Sequence, residues 1–259
     1  MIVNLRDDFA NAWAGHDPFS KVSELHGDVY RDVKGRRTLR FEFEHRRFFV
    51  KNHMGVGWGE IVKNLLTFKM PVLGAENEWC AIAKLRSLGL ATMTAVGFGS
   101  QSFILTEALE DTISLEDYCE RWPQRAPSLA VKLRLIAELA RISKVMHGNG
   151  VCHRDYYLCH FLLHDEASFS AEQITTPQLS LIDLHRALIR RKLPIRWVVK
   201  DVAGLYFSAL HIGLNRHDFL RFVRLYSGKS LRECFSEDAQ FWQQVQHRAL
   251  QLDKKINSA

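Results

Sequence analysis

The chain has 259 residues, 47% of them hydrophobic and 25% charged, and a formal net charge of +6, which suits a soluble globular protein of one large domain or two lobes. The positive charge implies an anionic partner but does not choose among nucleic acid, lipid phosphate, acidic protein and nucleotide. No uncharged apolar run of about 18 residues occurs, and Asp7 and Asp8 interrupt the start, so neither a membrane span nor a signal peptide is expected.

In chain order, RTLRFEF and RRFFVK alternate with period two around Glu44-His45, which predicts a hairpin ending at Lys51. The stretch before it, YRDVKGRRT, has only Gly35, with Gly27 upstream, where a glycine-rich nucleotide loop would stand; Arg36 or Arg37 would help cover phosphates there. After Lys51, HMGVGWGEI spaces Gly55, Gly57 and Gly59, residues that let backbone amides approach an anion. Their place after Lys51 favours a tight turn or a substrate-facing loop, with Trp58 able to meet lipid or sugar if exposed.

GAENEWCAIAKLRSLGL sets Trp79, Ile82, Leu85 and Leu88 at helical spacing and stops at Gly89, with Glu78 close to the buried face. SFILTEAL reads as a buried strand, and SLED as a capping-box signature starting a helix at Leu115. A long helix follows, with Leu129, Leu133, Ile136, Ala140 and Val145 along one side, ending at Gly148-Asn149-Gly150. The next stretch, VCHRDYYLCH, is therefore a loop. FLL and LSLI form a strand pair around a polar insertion, and Asp183 closes the second strand. Helices in RWVVKDVAGLYFSALHIGL, HDFLRFVRLYS and FWQQVQHRALQLDKK complete an α+β chain. A β-rich N-terminal lobe, residues 1–109, precedes a mainly helical C-terminal lobe, residues 110–259, the two together making one domain.

Phosphoryl transfer needs a cation on the nucleotide phosphates, a carboxylate for the attacking hydroxyl, and oxygen ligands for Mg²⁺. Lys51 oriented by Glu78, then Asp155, then Asp183 offer these in the required order. A second reading is a metal cluster of Cys152, His153, Cys159, His160 and His164, but no CxxC stands upstream and a strand at Phe161 would point these ligands apart. The five cysteines, odd in number and widely spaced, suit reduced thiols in a cytoplasmic protein.

FFVKNHMGVGWGEIVKNLL, MPVLGAENEWCAIAKLRSLGLATMTAVGFG, SFILTEAL, HGNGVCHRDYYLCHFLLH, LIDLHRA and RWVVKDVAGLYFSAL together cover most of residues 27–213. In them the chain resembles the lipopolysaccharide core heptose(I) kinases, within the Kdo/WaaP group of protein-kinase-like enzymes. The resemblance implies a bilobal protein-kinase-like fold and transfer from ATP, with Mg²⁺, to the first heptose of the inner core. It places the protein in the cytoplasm, peripheral at the inner face of the inner membrane, with the inner-core glycolipid as acceptor and no nucleic acid as partner; an acidic partner protein also suits the basic charge. It makes Glu107 to Leu109 the segment whose backbone meets adenine. By the same likeness His153 and Arg154 would support the loop and Asp201 would be its buried anchor. His160 stands where ordinary kinases carry a metal-binding Asn, and a neutral imidazole can ligate a metal or brace the loop. Two alternatives stay open: a kinase of this architecture acting on Kdo, a small hydroxyl compound or a protein, and a silent scaffold, disfavoured because Lys51, Asp155 and Asp183 are all present.

Overall fold

The computed structural model describes residues 2–33, 36–52, 74–100, 103–173 and 175–258. The chain divides into two compact units. One comprises Met1–Lys84, Met93–Glu110 and Asp183–Arg186; the other comprises Leu85–Thr92, Asp111–Ile182 and Ala187–Ala259. Relative to a single cut at 109/110, Leu85–Thr92 falls in the second unit and Asp183–Arg186 in the first.

The first unit contains β1 (Val3–Leu5), α1 (Asp7–Ala12), α2 (Pro18–Glu24), β2 (Asp28–Val33), β3 (Arg36–Phe43), β4 (Arg46–Asn52), α3 (Gly74–Ser87, through Lys84), β5 (Ala95–Gly99) and β6 (Phe103–Glu107). The strands form one antiparallel sheet in the order β1-β5-β6-β4-β3-β2. The expected hairpin is β3–β4. Its two turn residues, Glu44 and His45, have φ of 48° and 59°, the left-handed pair that a two-residue hairpin turn requires. Lys51 pairs with Thr38 on one side and Ile104 on the other, so its backbone is held by two neighbouring strands.

Period-two burial of Leu39 and Phe41 on β3, and of Phe48 and Val50 on β4, builds the inner face of the sheet. Phe9, fully buried, plugs it from α1: its ring lies 4.5 Å from Phe43, 5.1 Å from Phe48 and 5.3 Å from Trp13. Such aromatic contacts add about 0.5–1.5 kcal/mol each beyond area burial. The six residues of α1 are too few to show a helical period, so the packing of Phe9, not local propensity, fixes this helix.

The second unit runs β7 (Thr112–Ser114), α4 (Leu115–Cys119), α5 (Leu129–Gly148), β8 (Val151–Cys152), β9 (Phe161–His164), α6 (Glu166–Ser170), β10 (Leu179–Leu181), β11 (Leu188–Ile189), α7 (Ile195–Ser208), α8 (Arg216–Ser227), α9 (Leu231–Ser236) and α10 (Ala239–Asn257). Ser114 caps α4 by accepting from the Asp117 N–H, as SLED predicts. β9 and β10 are the expected strand pair; β7 joins them as the third strand. The polar insertion between them contains α6, which is too short to leave a periodic signal. β10 ends at Leu181, so Asp183 lies beyond the strand and not at its closing residue.

The buried side of α5 matches expectation at Ile136 and Ala140 and differs elsewhere. Val131, Leu135, Ile136, Ala140, Ile142, Ser143 and Met146 are buried, whereas Leu129 is 59% exposed. Leu129 is the first residue after the Ser128 cap, where the helix has only begun to enter the core. The remaining helices bury Val199, Val202 and Ala203 of α7 against Cys234, Trp242, Val245 and Ala249. Among the described residues, no helix is long and apolar enough to cross a membrane.

Gly150 sets the exit from α5. Its φ is +79°, and a Cβ there would stand 1.9 Å from the carbonyl oxygen of Arg190. Gly150→Ala should therefore lower stability by about 1–3 kcal/mol or more. Gly148→Ala, where an added Cβ meets nothing within 4 Å, should stabilise by roughly 0.5–1 kcal/mol. Thermal melts of the two variants check this; a Gly150→Ala protein melting at or above wild type contradicts it.

Candidate active site

In the first unit, α3 turns Ala75, Glu78, Ala81 and Ile82 inward, so a carboxylate sits on an otherwise apolar face with no exposed surface. A buried charge requires a partner, and Lys51 supplies one. Lys51 Nζ lies 2.7 Å from Glu78 Oε1 and 3.0 Å from Asp183 Oδ1. Burial disfavours the ammonium, but the charges of Glu78 and Asp183 outweigh it and push the lysine above its ordinary pKa.

Asp183 has φ of +61° and leads into a short 3₁₀ turn, Leu184–Arg186. Burial again opposes charge, yet the hydrogen bond from His185 Nδ1 at 2.8 Å and the Lys51 ammonium hold the Asp183 carboxyl well below the usual carboxylate range. Asn77 steadies the turn, its amide donating to the His185 carbonyl at 3.0 Å. An ionised oxygen donor of this kind fits a hard divalent cation. The Lys51 ammonium fits phosphate oxygens.

Glu107 ends β6. Its N–H donates to the Thr94 carbonyl and its carboxylate is gripped by Arg6 and Arg46. Ala108 N–H donates to Arg47. The Glu107 N–H is therefore already bonded within the sheet. Leu109 follows in an irregular segment.

In the second unit, the HRD stretch is shaped by one face of α7. Asp201, fully buried, accepts from the backbone N–H of His153 at 2.6 Å and of Arg154 at 2.7 Å, one bond to each oxygen. This pair of bonds holds Arg154 at φ +74°, a left-handed conformation costly for a side-chain-bearing residue. One turn earlier, Trp197 receives the Arg154 guanidinium over its ring at 4.5 Å from the centroid. Lys200 Nζ donates to the Arg154 carbonyl and lies 3.4 Å from Asp155 Oδ1. Gly204 lets the loop approach: a Cβ there would be 2.9 Å from the Tyr156 carbonyl oxygen. Ser208 Oγ accepts from Leu158 N–H at 3.1 Å. These positions recur at three- or four-residue spacing, so they line one side of the helix.

Two histidines complete the loop. His153 Nε2 lies 2.8 Å from the Ile182 carbonyl, and its Nδ1 accepts from Asp155 N–H at 3.3 Å, which defines a neutral ring with the proton on Nε2. His160 stacks on it at 5.4 Å and sets Nδ1 2.6 Å from the Asp155 carbonyl. A carbonyl only accepts, so Nδ1 bears the proton, and a neutral His160 keeps a lone pair on Nε2. His160 thus braces the loop through Nδ1.

The alternative cysteine–histidine metal cluster does not assemble. Among the described residues, the one grouping of three such ligand atoms within 4.8 Å is His147, Cys152 and Asp201, and Asp201 is already committed to the loop amides. Burial pushes the Cys152 thiol up, away from the thiolate a metal needs. His164 instead pairs with Ser180 Oγ at 2.8 Å. Gly35, Gly55, Gly57, Gly59 and Trp58 lie outside the described residues. Sequence reasoning missed Arg6, Trp197, Lys200 and His185; only the RWVVKD spacing, with Trp197, Lys200 and Asp201 on one helix face, carried a usable signal.

The lipopolysaccharide kinase (Kdo/WaaP) family model matches residues 20–226. The chain is 48% identical over 260 residues to the lipopolysaccharide core heptose(I) kinase WaaP of Pseudomonas aeruginosa, covering 97% of this chain and 96% of that protein. It is 46% identical over 243 residues to the protein of the same name from Escherichia coli K12, covering 91% of each. A solved structure, WaaP in complex with acyl carrier protein, superposes with a TM-score of 0.82 at 43% identity, over 97% of this chain and 99% of that one.

Asp201→Asn replaces one loop-holding oxygen with an NH₂ that faces an N–H donor. Hydrogen bonds to charged groups contribute about 1.5–3 kcal/mol each, so this variant should lose about 2–3 kcal/mol of stability. Denaturant titration reads the loss; a change below about 0.5 kcal/mol would remove Asp201 from this role.

Proposed function

This chain belongs to the lipopolysaccharide kinase (Kdo/WaaP) family, and on that premise we propose how its residues divide the work. It is a phosphotransferase of lipopolysaccharide core synthesis that phosphorylates a sugar hydroxyl of the first heptose, heptose I. Kinase chemistry makes ATP the phosphoryl donor. Asp155 accepts the hydrogen bond and then the proton of the attacking hydroxyl. Lys51, oriented by Glu78, draws on the α- and β-phosphates, and the segment from the Glu107 carbonyl to Leu109 meets adenine. Asp183 would hold Mg²⁺, whose charge offsets that of the phosphates, and His160 is a further candidate metal ligand or a brace of the loop. His153, Arg154 and Asp201 keep the loop in shape and touch no substrate.

The observation that carries this reading is the shared ammonium: Lys51 Nζ bonds both Glu78 and Asp183, the ion-pair arrangement that kinases need for phosphate and metal together. The acceptor's phosphate and Kdo carboxylates suit a chain of net charge +6. Peripheral contact with the inner face of the inner membrane follows from a lipid-anchored acceptor. The exposed Arg190, Arg191 and Lys192 suit an acidic partner, and the solved relative is a complex with acyl carrier protein.

ATP consumption with purified inner-core glycolipid, compared with free Kdo, small alcohols and a hydroxyl-bearing protein, tests the acceptor. Turnover with the glycolipid should exceed every other acceptor by at least about tenfold in kcat/KM. Equal or faster transfer to Kdo or to protein would move the assignment.

A further inference from the structure

Between Asp155 and His160 the loop reads Tyr156, Tyr157, Leu158, Cys159, with no basic side chain. The guanidinium of the preceding Arg154 lies against Trp197. A carboxylate that takes a proton beside incoming phosphates is repelled by them, and a nearby cation offsets that repulsion. Lys200 stands in this position from outside the loop. Its Nζ is 3.4 Å from Asp155 Oδ1, with both side chains under one-fifth exposed, and the same ammonium donates to the Arg154 carbonyl. The bond to Arg154 fixes where the ammonium sits, since that residue's backbone is pinned by Asp201, one residue after Lys200 on the same helix. The cation and the loop anchor therefore move as one rigid unit.

We infer that Lys200 is a positioning residue for phosphoryl transfer: its ammonium holds one oxygen of Asp155 and partly offsets the charge of the carboxylate as it takes the proton of the acceptor hydroxyl. The inference rests on Asp155 having the role proposed above, and it assigns to α7 a part in the chemistry beyond supporting the loop. Proton transfer stays between the acceptor hydroxyl and Asp155; Lys200 neither gives nor takes a proton.

The test is steady-state transfer from ATP to the glycolipid by wild type, Lys200→Met, Lys200→Arg, Asp155→Asn and the Asp155→Asn/Lys200→Met double variant. Lys200→Met should lower kcat by about 10- to 100-fold while the KM for ATP stays within about twofold, because an interaction made toward the transition state is lost. Lys200→Arg, which keeps the charge, should restore most of the rate. In the Asp155→Asn background, Lys200→Met should cost little more, since the group it acts through is already disabled. Should Lys200→Met fail to fold, Lys200→Gln keeps a donor for the Arg154 carbonyl without the charge, and should show the same fall in kcat. Wild-type kcat in the Met or Gln variant overturns the inference, as does an undiminished loss in the Asp155→Asn background. Absence of transfer by wild type itself would instead overturn the acceptor assignment, so the two failures are distinct.

Discussion

A carboxylate buried away from water needs a donor for each oxygen, and Asp201 finds both in consecutive backbone N–H groups, those of His153 and Arg154. That constraint reaches through the second unit. It holds Arg154 in a left-handed conformation and fixes the direction in which the chain leaves toward Asp155. The rest of the α7 face matches the resulting path: Trp197 takes the displaced guanidinium, Gly204 leaves room for the Tyr156 carbonyl, and Ser208 receives the amide of Leu158. His153 continues the chain of dependence. By donating to the Ile182 carbonyl, it ties the loop to the residue directly before Asp183.

The first unit is arranged around a different scarcity, one ammonium for two carboxylates. Glu78 is fully buried and Asp183 partly so, and both lean on Lys51. A lysine in the middle of the sheet can serve them because its strand is flanked on both sides, by Thr38 and by Ile104 at its own position, leaving little freedom beyond its own side chain. His185 shares the load on Asp183, and Asn77, the neighbour of Glu78, holds His185 by its carbonyl. Two adjacent residues of α3 thus grip the lysine and the Asp-Leu-His turn together. The physical gain is a carboxylate that stays ionised despite burial and a cation that stays charged, the two states that phosphate and metal binding require.

How much of this was legible in the sequence followed from how local each cause is. The β3–β4 hairpin could be read because period-two burial and a two-residue turn are short-range signals. Glu78 could be read because it lies close to the apolar face of its helix and falls in order between Lys51 and the later aspartates Asp155 and Asp183; alone, a helix Glu is usually a solvated charge. α1 could not, since its stability comes from Phe9 entering an aromatic cluster assembled from distant strands. On α5 the spacing placed Ile136 and Ala140 correctly on the buried side, but Leu129 is exposed and the core also takes Val131, Leu135 and Ser143. Lys200 and His185 were overlooked because each flanks a motif aspartate and looks like an ordinary polar neighbour; only the folded loop shows that one reaches Asp155 and the other Asp183. The family resemblance, carried by HRDYYLCHFLLH with IDLHRA, supplied the acceptor, which no spacing argument could.

The central claim is that one carboxylate, Asp155, activates the sugar hydroxyl. The most direct test is glycolipid phosphorylation by Asp155→Ala protein, alongside titration of its nucleotide affinity. Removal of a positioned proton acceptor costs on the order of 10²-fold or more, so transfer should fall at least that far while ATP binding persists. Equal turnover in the variant and the wild type would contradict the account.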